Sequence, residues 1–236
     1  MMFKSILLLV LIVGALNTSH VFAVRPDNLD YFVFLVTGKS AAGTAKEDIE
    51  QMQKAHIGNF ERLAGLGELS AAGPCSDPEK IVRGIVVVHA TSLADAEAKF
   101  GADPYVTQGF MKTEIHPYQS VVGKFVIPED ITKLDEYTIA IVSRGEKWNE
   151  SDELKRIQVA LQSFAKEHHT AGTLGFAALF DGASNNTSPR VAVMVFRGNG
   201  QARVEQLLSD WKPVQEGFVK VNVFPQYLVK DALPSE

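Results

Sequence analysis

The sequence predicts an α+β protein built from two tandem βαββαβ units that pack against each other as a pseudo-dimeric barrel. Short apolar, β-branched runs alternate with longer segments of helical spacing, and the same order of segments occurs twice. The two occurrences also align. Gly67-Glu68-Leu69-Ser70-Ala71-Ala72 laid over Gly172-Thr173-Leu174-Gly175-Phe176-Ala177 carries Ile49, Met52, His56 and Leu63 onto Leu154, Ile157, Leu161 and His168. Further on, Gly109-Phe110-Met111-Lys112 matches Gly217-Phe218-Val219-Lys220, and Pro117 matches Pro225, at an offset three residues larger. A difference in loop length absorbs that shift.

In the first unit, Tyr31 to Val36 is a continuous apolar run bounded by Gly38 and reads as a buried strand. Lys46 to Leu66 switches to helical spacing, with Ile49, Met52, Phe60 and Leu63 on one stripe, His56 midway along it, and Gly67 as the stop. Glu68 to Ala72 is a short strand closed by Gly73-Pro74, and Gly84 to His89 is a stronger one. A second helix fits Ser92 to Phe100, with Ser92 as its cap and Asp95 in its first turn. Lys112 to Pro117 completes the set, which is the ferredoxin-like arrangement. The second unit repeats it as Tyr137 to Val142, Glu153 to Thr170, Leu174 to Phe180, Val191 to Phe196, Ala202 to Asp210 and Val219 to Phe224. Val121 to Ile127 reads as a trailing strand. A four-stranded sheet with helices on one side leaves a bare face, and the other unit is its obvious cover.

Residues 1–23 read as a signal peptide: Lys4 precedes an apolar run from Ile6 to Leu16, and Val21-Phe22-Ala23 supplies a cleavage site. The run is short of the roughly 20 residues that cross a bilayer. The expected mature chain is therefore secreted or periplasmic, not membrane-bound, with one unit at 24–127, a linker at 128–135 and a second unit at 136–236. Its one cysteine, Cys75, excludes an intrachain disulfide, and it reads as a small turn residue beside Pro74 with no basic cluster in sequence to activate it. A formal net charge of −5 with no long run of either sign argues against nucleic acid as a partner. Asn149-Glu150-Ser151 and Asn186-Thr187-Ser188, overlapped by Asn185-Asn186-Thr187, are glycan acceptors if the source is eukaryotic. A monomer containing its own pseudo-dimer is expected.

His56 is the residue that breaks the pattern. The aligned position in the second unit is Leu161, so the scaffold asks for leucine there and the imidazole is an addition. The alternative is a core histidine with a satisfied hydrogen bond. Asp103-Pro104 is a helix start, with the aspartate as cap and the proline at the first helical position. His89 and His116 alternate along strands without a visible carboxylate partner and read as structural or surface; His168 and His169 are adjacent on a helix and cannot both face one metal. No zinc motif, Gly-rich phosphate loop, Ser-His-Asp pattern or haem attachment signature appears, so neither metal nor cofactor is expected.

His56 followed by Phe60-Glu61-Arg62-Leu63, then Gly67 to Pro74, then Ala102-Asp103-Pro104-Tyr105-Val106 and Gly109, resembles a YCII-related domain over most of Tyr31 to Tyr118. The resemblance implies a ferredoxin-like unit that associates as an α+β barrel, and a histidine–aspartate pair at His56 and Asp103. It departs in two places. Family members often carry arginine three residues before the histidine, where this chain has Gln53; the second unit keeps only the scaffold, with Leu161, Trp211 and Lys212-Pro213 at the motif positions. Tyr105, Gly73, Pro74 and Ser70 are expected around the substrate.

An imidazole on an inward helix face is poorly solvated, and a carboxylate in contact would fix its tautomer and stabilise the imidazolium. The expected function is a cofactor-independent general acid/base enzyme performing proton abstraction, dehalogenation or hydrolysis on a small molecule, aromatic compounds included because one relative acts on a chlorinated hydroxylated aromatic. The alternatives are a non-catalytic protein holding a small apolar ligand in the barrel cavity and a secreted interaction module.

Overall fold

The computed structural model describes residues 29–126, 133–149, 153–180, 188–198 and 200–234. The expected leader, residues 128–132 of the expected linker, and Asn185 and Asn186 lie outside the described residues.

The first half contains β1 (Leu29–Thr37), α1 (Lys46–Gly65), β2 (Leu69–Pro74), β3 (Val82–Ala90), α2 (Leu93–Ala98), α3 (Pro104–Thr107) and β4 (Met111–Val122). The second contains β5 (Leu134–Arg144), α4 (Glu153–Thr170), β6 (Leu174–Phe180), β7 (Arg190–Arg197), α5 (Gln201–Ser209), α6 (Lys212–Gln215) and β8 (Val219–Val229). The two halves thus repeat one order of elements. They also repeat its irregularities: the pairings of β2 with β3 and of β6 with β7 each shift register once, between Leu69 and Ala71 and between Leu174 and Phe176.

The strands form one antiparallel sheet in the order β2-β3-β1-β4-β6-β7-β5-β8. One junction between halves is a ladder, in which Tyr118, Gln119 and Ser120 of β4 pair with Phe180, Leu179 and Ala178 of β6. The other closes the barrel more sparingly, through a Cys75–Gln226 bridge and a hydrogen bond of 2.9 Å from Ser76 N to Pro225 O. Gly73 is required there, since a methyl group on it would lie 1.7 Å from the Tyr227 carbonyl oxygen.

Both faces of this sheet are buried, which is why its strands read as continuous apolar runs and not as alternating ones. Phe32, Phe34, Phe176, Phe180 and Phe224 fill the barrel interior. Tyr31, Val33 and Leu35, on the opposite face of the same β1, pack with Phe60 and Leu63 of α1. The corresponding layer of the second half joins Ile157 and Leu161 of α4 to Ala140 and Val142.

Several expected boundaries change. Gly73 and Pro74 continue β2 instead of closing it, because β2 extends along β3 as far as Gly84. Val121 and Val122 end β4 and are not part of a separate strand; Gly123, at φ +68°, turns the chain away. The expected linker is shortened by β5, whose Leu134 and Asp135 pair with Val229 and Leu228. Leu154 is exposed, and Ile49, with which it aligns, is only half-buried. The one-turn helices α3 and α6 were not anticipated as elements, although Asp103 caps α3 with Pro104 inside its first turn, as the Asp-Pro pair predicts.

Candidate functional site

Helix α1 presents Met52, His56, Asn59, Phe60 and Leu63 inward. The imidazole is thereby carried under the helix, where it is 7% exposed, between the edge-on rings of Phe60 and Tyr105 at centroid distances of 4.5 and 5.3 Å. The start of α3 supplies its partner. Asp103 is fully buried and caps that helix with one oxygen, Oδ1 accepting from Tyr105 N at 2.9 Å; its other oxygen, Oδ2, accepts from His56 Nδ1 at 2.6 Å. Capping and pairing are thus simultaneous. A carboxylate accepting at Nδ1 places the ring proton there and leaves Nε2 with a lone pair.

His56 is also part of the wall of a cavity of about 560 Å³ between α1 and the outer face of the first half's sheet. Leu35, Phe60, Leu69, Met111 and Ile85 make it largely apolar, and Leu134 and Val229 bring the second half into the wall. Gly73 and Pro74 line it; Asp103 does not, and reaches the cavity only through the imidazole. Ser70 and Tyr105 do not line this cavity. Ser70 sits at the register shift in β2, buried with its hydroxyl unpartnered among the described residues, and is not on the cavity wall. The Tyr105 hydroxyl is directed to α1, 3.3 Å from Gln53 Oε1 and 3.4 Å from Ile49 O. Burial, reinforced by the Asp103 carboxylate and opposed by Arg83, raises its pKa and keeps it a phenol.

Sequence reasoning missed Gln53, Glu61 and Arg83 as lining residues. Gln53 had a signal, lying one helical turn before His56, whereas Arg83 becomes visible only when β3 is placed beside β2. His89 is corrected too: its Nδ1 donates to Asp30, and Tyr118 Oη donates to the other Asp30 oxygen at 3.4 Å. The antiparallel register of β1 and β3 sets Asp30 opposite His89. In the second half, Leu161 and Trp211 are buried where the pair would be. Cys75 donates its thiol to Gln226 Oε1 at 2.6 Å, and burial, with Asp77 nearby, raises its pKa, so it stays protonated.

His116 points into the barrel. It is 1% exposed, stacked 4.5 Å from Phe180, and its Nε2 has no partner among the described residues. Burial holds this imidazole down at about 4. The folded ring stays neutral at pH values where the ring of an unfolded chain takes up a proton. This site therefore costs no stability above about pH 7, destabilises progressively as pH falls from about 6.5 to about 4, and levels off below that, for a total of about 3 kcal/mol. His116→Leu is expected to remove that part of the acid sensitivity in urea unfolding followed across this range; identical pH profiles for variant and wild type would contradict it.

The fold and the site together define an α+β barrel of two ferredoxin-like halves with a buried histidine–aspartate pair on one of them. Residues 31–119, which contain both members of the pair, match the family described as the YCII-related domain. Among solved structures, a candidate monooxygenase from Fusobacterium nucleatum subsp. nucleatum is similar with a TM-score of 0.53 at 7% identity, over 88% of this chain and 93% of its own. A mutant chlorite dismutase from Candidatus Nitrospira defluvii, in complex with cyanide, gives 0.51 at 10% identity over 86% and 90%. A candidate chlorite dismutase gives 0.54 at 10% over 87% and 96%. At such identities the likeness is one of fold. No curated protein matches the chain in sequence.

Proposed function

We propose that this protein is a general acid/base enzyme acting without a cofactor on a small molecule held beside His56. One observation carries the reading: the 2.6 Å contact between His56 Nδ1 and the fully buried Asp103, with the imidazole on the wall of a cavity of about 560 Å³. In the proposed step Nε2 takes a proton from a substrate C–H or from water. The electron pair stays on the substrate, where it expels a leaving group or is delocalised, or the resulting hydroxide attacks. Asp103 stabilises the imidazolium and does not itself become protonated. An architecture of two halves with one order of elements fits this division of labour, one half carrying the pair and the other supplying barrel closure and part of the cavity wall.

The test is deuterium wash-in from D₂O into a panel of activated carbon acids, followed by NMR, with His56→Gln as the control. Glutamine is preferable to leucine here: its amide can still donate to Asp103, whereas leucine would orphan a buried carboxylate. Exchange in the wild type that falls about 10²- to 10⁴-fold in a folded His56→Gln protein is expected. Exchange surviving that substitution would overturn the proposal.

A further inference from the structure

We propose that the cavity beside His56 selects an organic anion with an apolar body, its charged end held by Arg83. The inference rests on the cavity being the working site, as above, but not on His56 acting as a base.

Most of the wall is hydrocarbon or aromatic, and its charged or polar side chains are Gln53, His56, Glu61 and Arg83. Arg83 is the cation among them. Lys99 is engaged with Glu68 at 2.9 Å, Arg62 with Asn59 Oδ1 at 2.9 Å and Lys46 with Glu50 at 3.3 Å. Arg83, by contrast, makes no ion pair with any described residue. Its charge nevertheless reaches the site, since it acts on Tyr105, whose ring packs 5.3 Å from His56. Arg83 is exposed, and a guanidinium fork with no partner among the described residues beside an apolar cavity matches a carboxylate or phenolate oxygen pair. The position is also useful to proton transfer. When an anionic substrate gives its C–H proton to His56 Nε2, the electron pair left behind adds a second negative charge, and a guanidinium at the cavity wall offsets it.

Glu61 also borders the cavity, from α1, and opposes an anion. Glu61→Gln should therefore tighten anion binding, while Arg83→Gln should weaken it.

The experiment uses the whole protein and six probes: benzoate and hexanoate, their neutral amides benzamide and hexanamide, and the cations benzylammonium and hexylammonium. Binding is measured by isothermal titration calorimetry in every protein, with the His56 ring resonances locating it in those that keep the imidazole and melting temperature as the folding control. The expected result is carboxylates binding at least about tenfold tighter than the amides, with Arg83→Gln abolishing the difference and leaving amide affinity unchanged. Equal affinity for carboxylates and amides, preference for the ammonium probes, discrimination that survives Arg83→Gln, or no shift at His56 with any probe would each overturn it. Carboxylate preference retained in His56→Gln, alongside failed deuterium wash-in, would remove the base and leave the anion site; wash-in retained without carboxylate preference would do the reverse.

Discussion

Asp103→Ala is expected to cost about 3 kcal/mol of folding stability and to abolish any chemistry that depends on His56. The aspartate is fully buried and satisfies two donors at once, the Tyr105 N–H through Oδ1 and the His56 ring through Oδ2. Alanine removes the cap of α3, worth about 1 kcal/mol, and a charge-assisted hydrogen bond worth about 1.5–3 kcal/mol. Asp103→Asn separates the two roles. Asparagine caps helices well, so its Oδ1 can keep the Tyr105 contact, but that turns its amide group toward His56. The imidazole must then accept at Nδ1 and carry its proton on Nε2, which blocks the base. Asparagine should therefore preserve more stability than alanine while reducing turnover as much, by about 10²- to 10⁴-fold. Urea unfolding of both variants checks the first half of this statement, and an alanine variant within about 0.5 kcal/mol of wild type would contradict it.

Gln226→Leu should open the weaker junction of the barrel. This fully buried side chain comes from the second half and holds the end of β2: Nε2 donates toward Gly73 O at 3.1 Å, Pro74 O at 3.2 Å and Tyr227 O at 2.8 Å, while Oε1 accepts from the Cys75 thiol. Leucine removes the bonds to these carbonyls and leaves the thiol without its acceptor, a loss of about 2–4 kcal/mol. The consequence reaches the site, because Gly73 and Pro74 line the cavity. Amide exchange should speed up first at Ser76, whose N–H donates to Pro225 O, and should remain slow along the β4–β6 ladder. Uniform exchange at both junctions, or an unchanged melting temperature, would argue against the clasp.

What the sequence discloses here depends on how local the cause is. His56 was placed inward by its stripe with Met52, Phe60 and Leu63, and all four are buried. Asp103-Pro104 was read as a helix start, which it is. Both inferences draw on neighbours within a few residues. The contact between His56 and Asp103 spans 47 positions, and periodicity could not supply it; the family resemblance did. Asp30 and His89 show the opposite outcome, because the strand register that places them side by side is invisible in either strand alone. Arg83, Leu134 and Val229 belong to the same class, since they reach the cavity only after β3 is set beside β2 and the second half closes the barrel. Tyr105 was anticipated at the site from its neighbours in sequence, but the direction of its hydroxyl is fixed by α1 above it.

The most direct test of the pair is the tautomer of His56, read from long-range ¹⁵N–¹H correlations of the neutral ring in wild type and in Asp103→Asn. The predicted result is a proton on Nδ1 and a bare Nε2 in the wild type, with the proton moved to Nε2 in the variant. A wild-type ring protonated at Nε2, or the same tautomer in both proteins, would contradict the account.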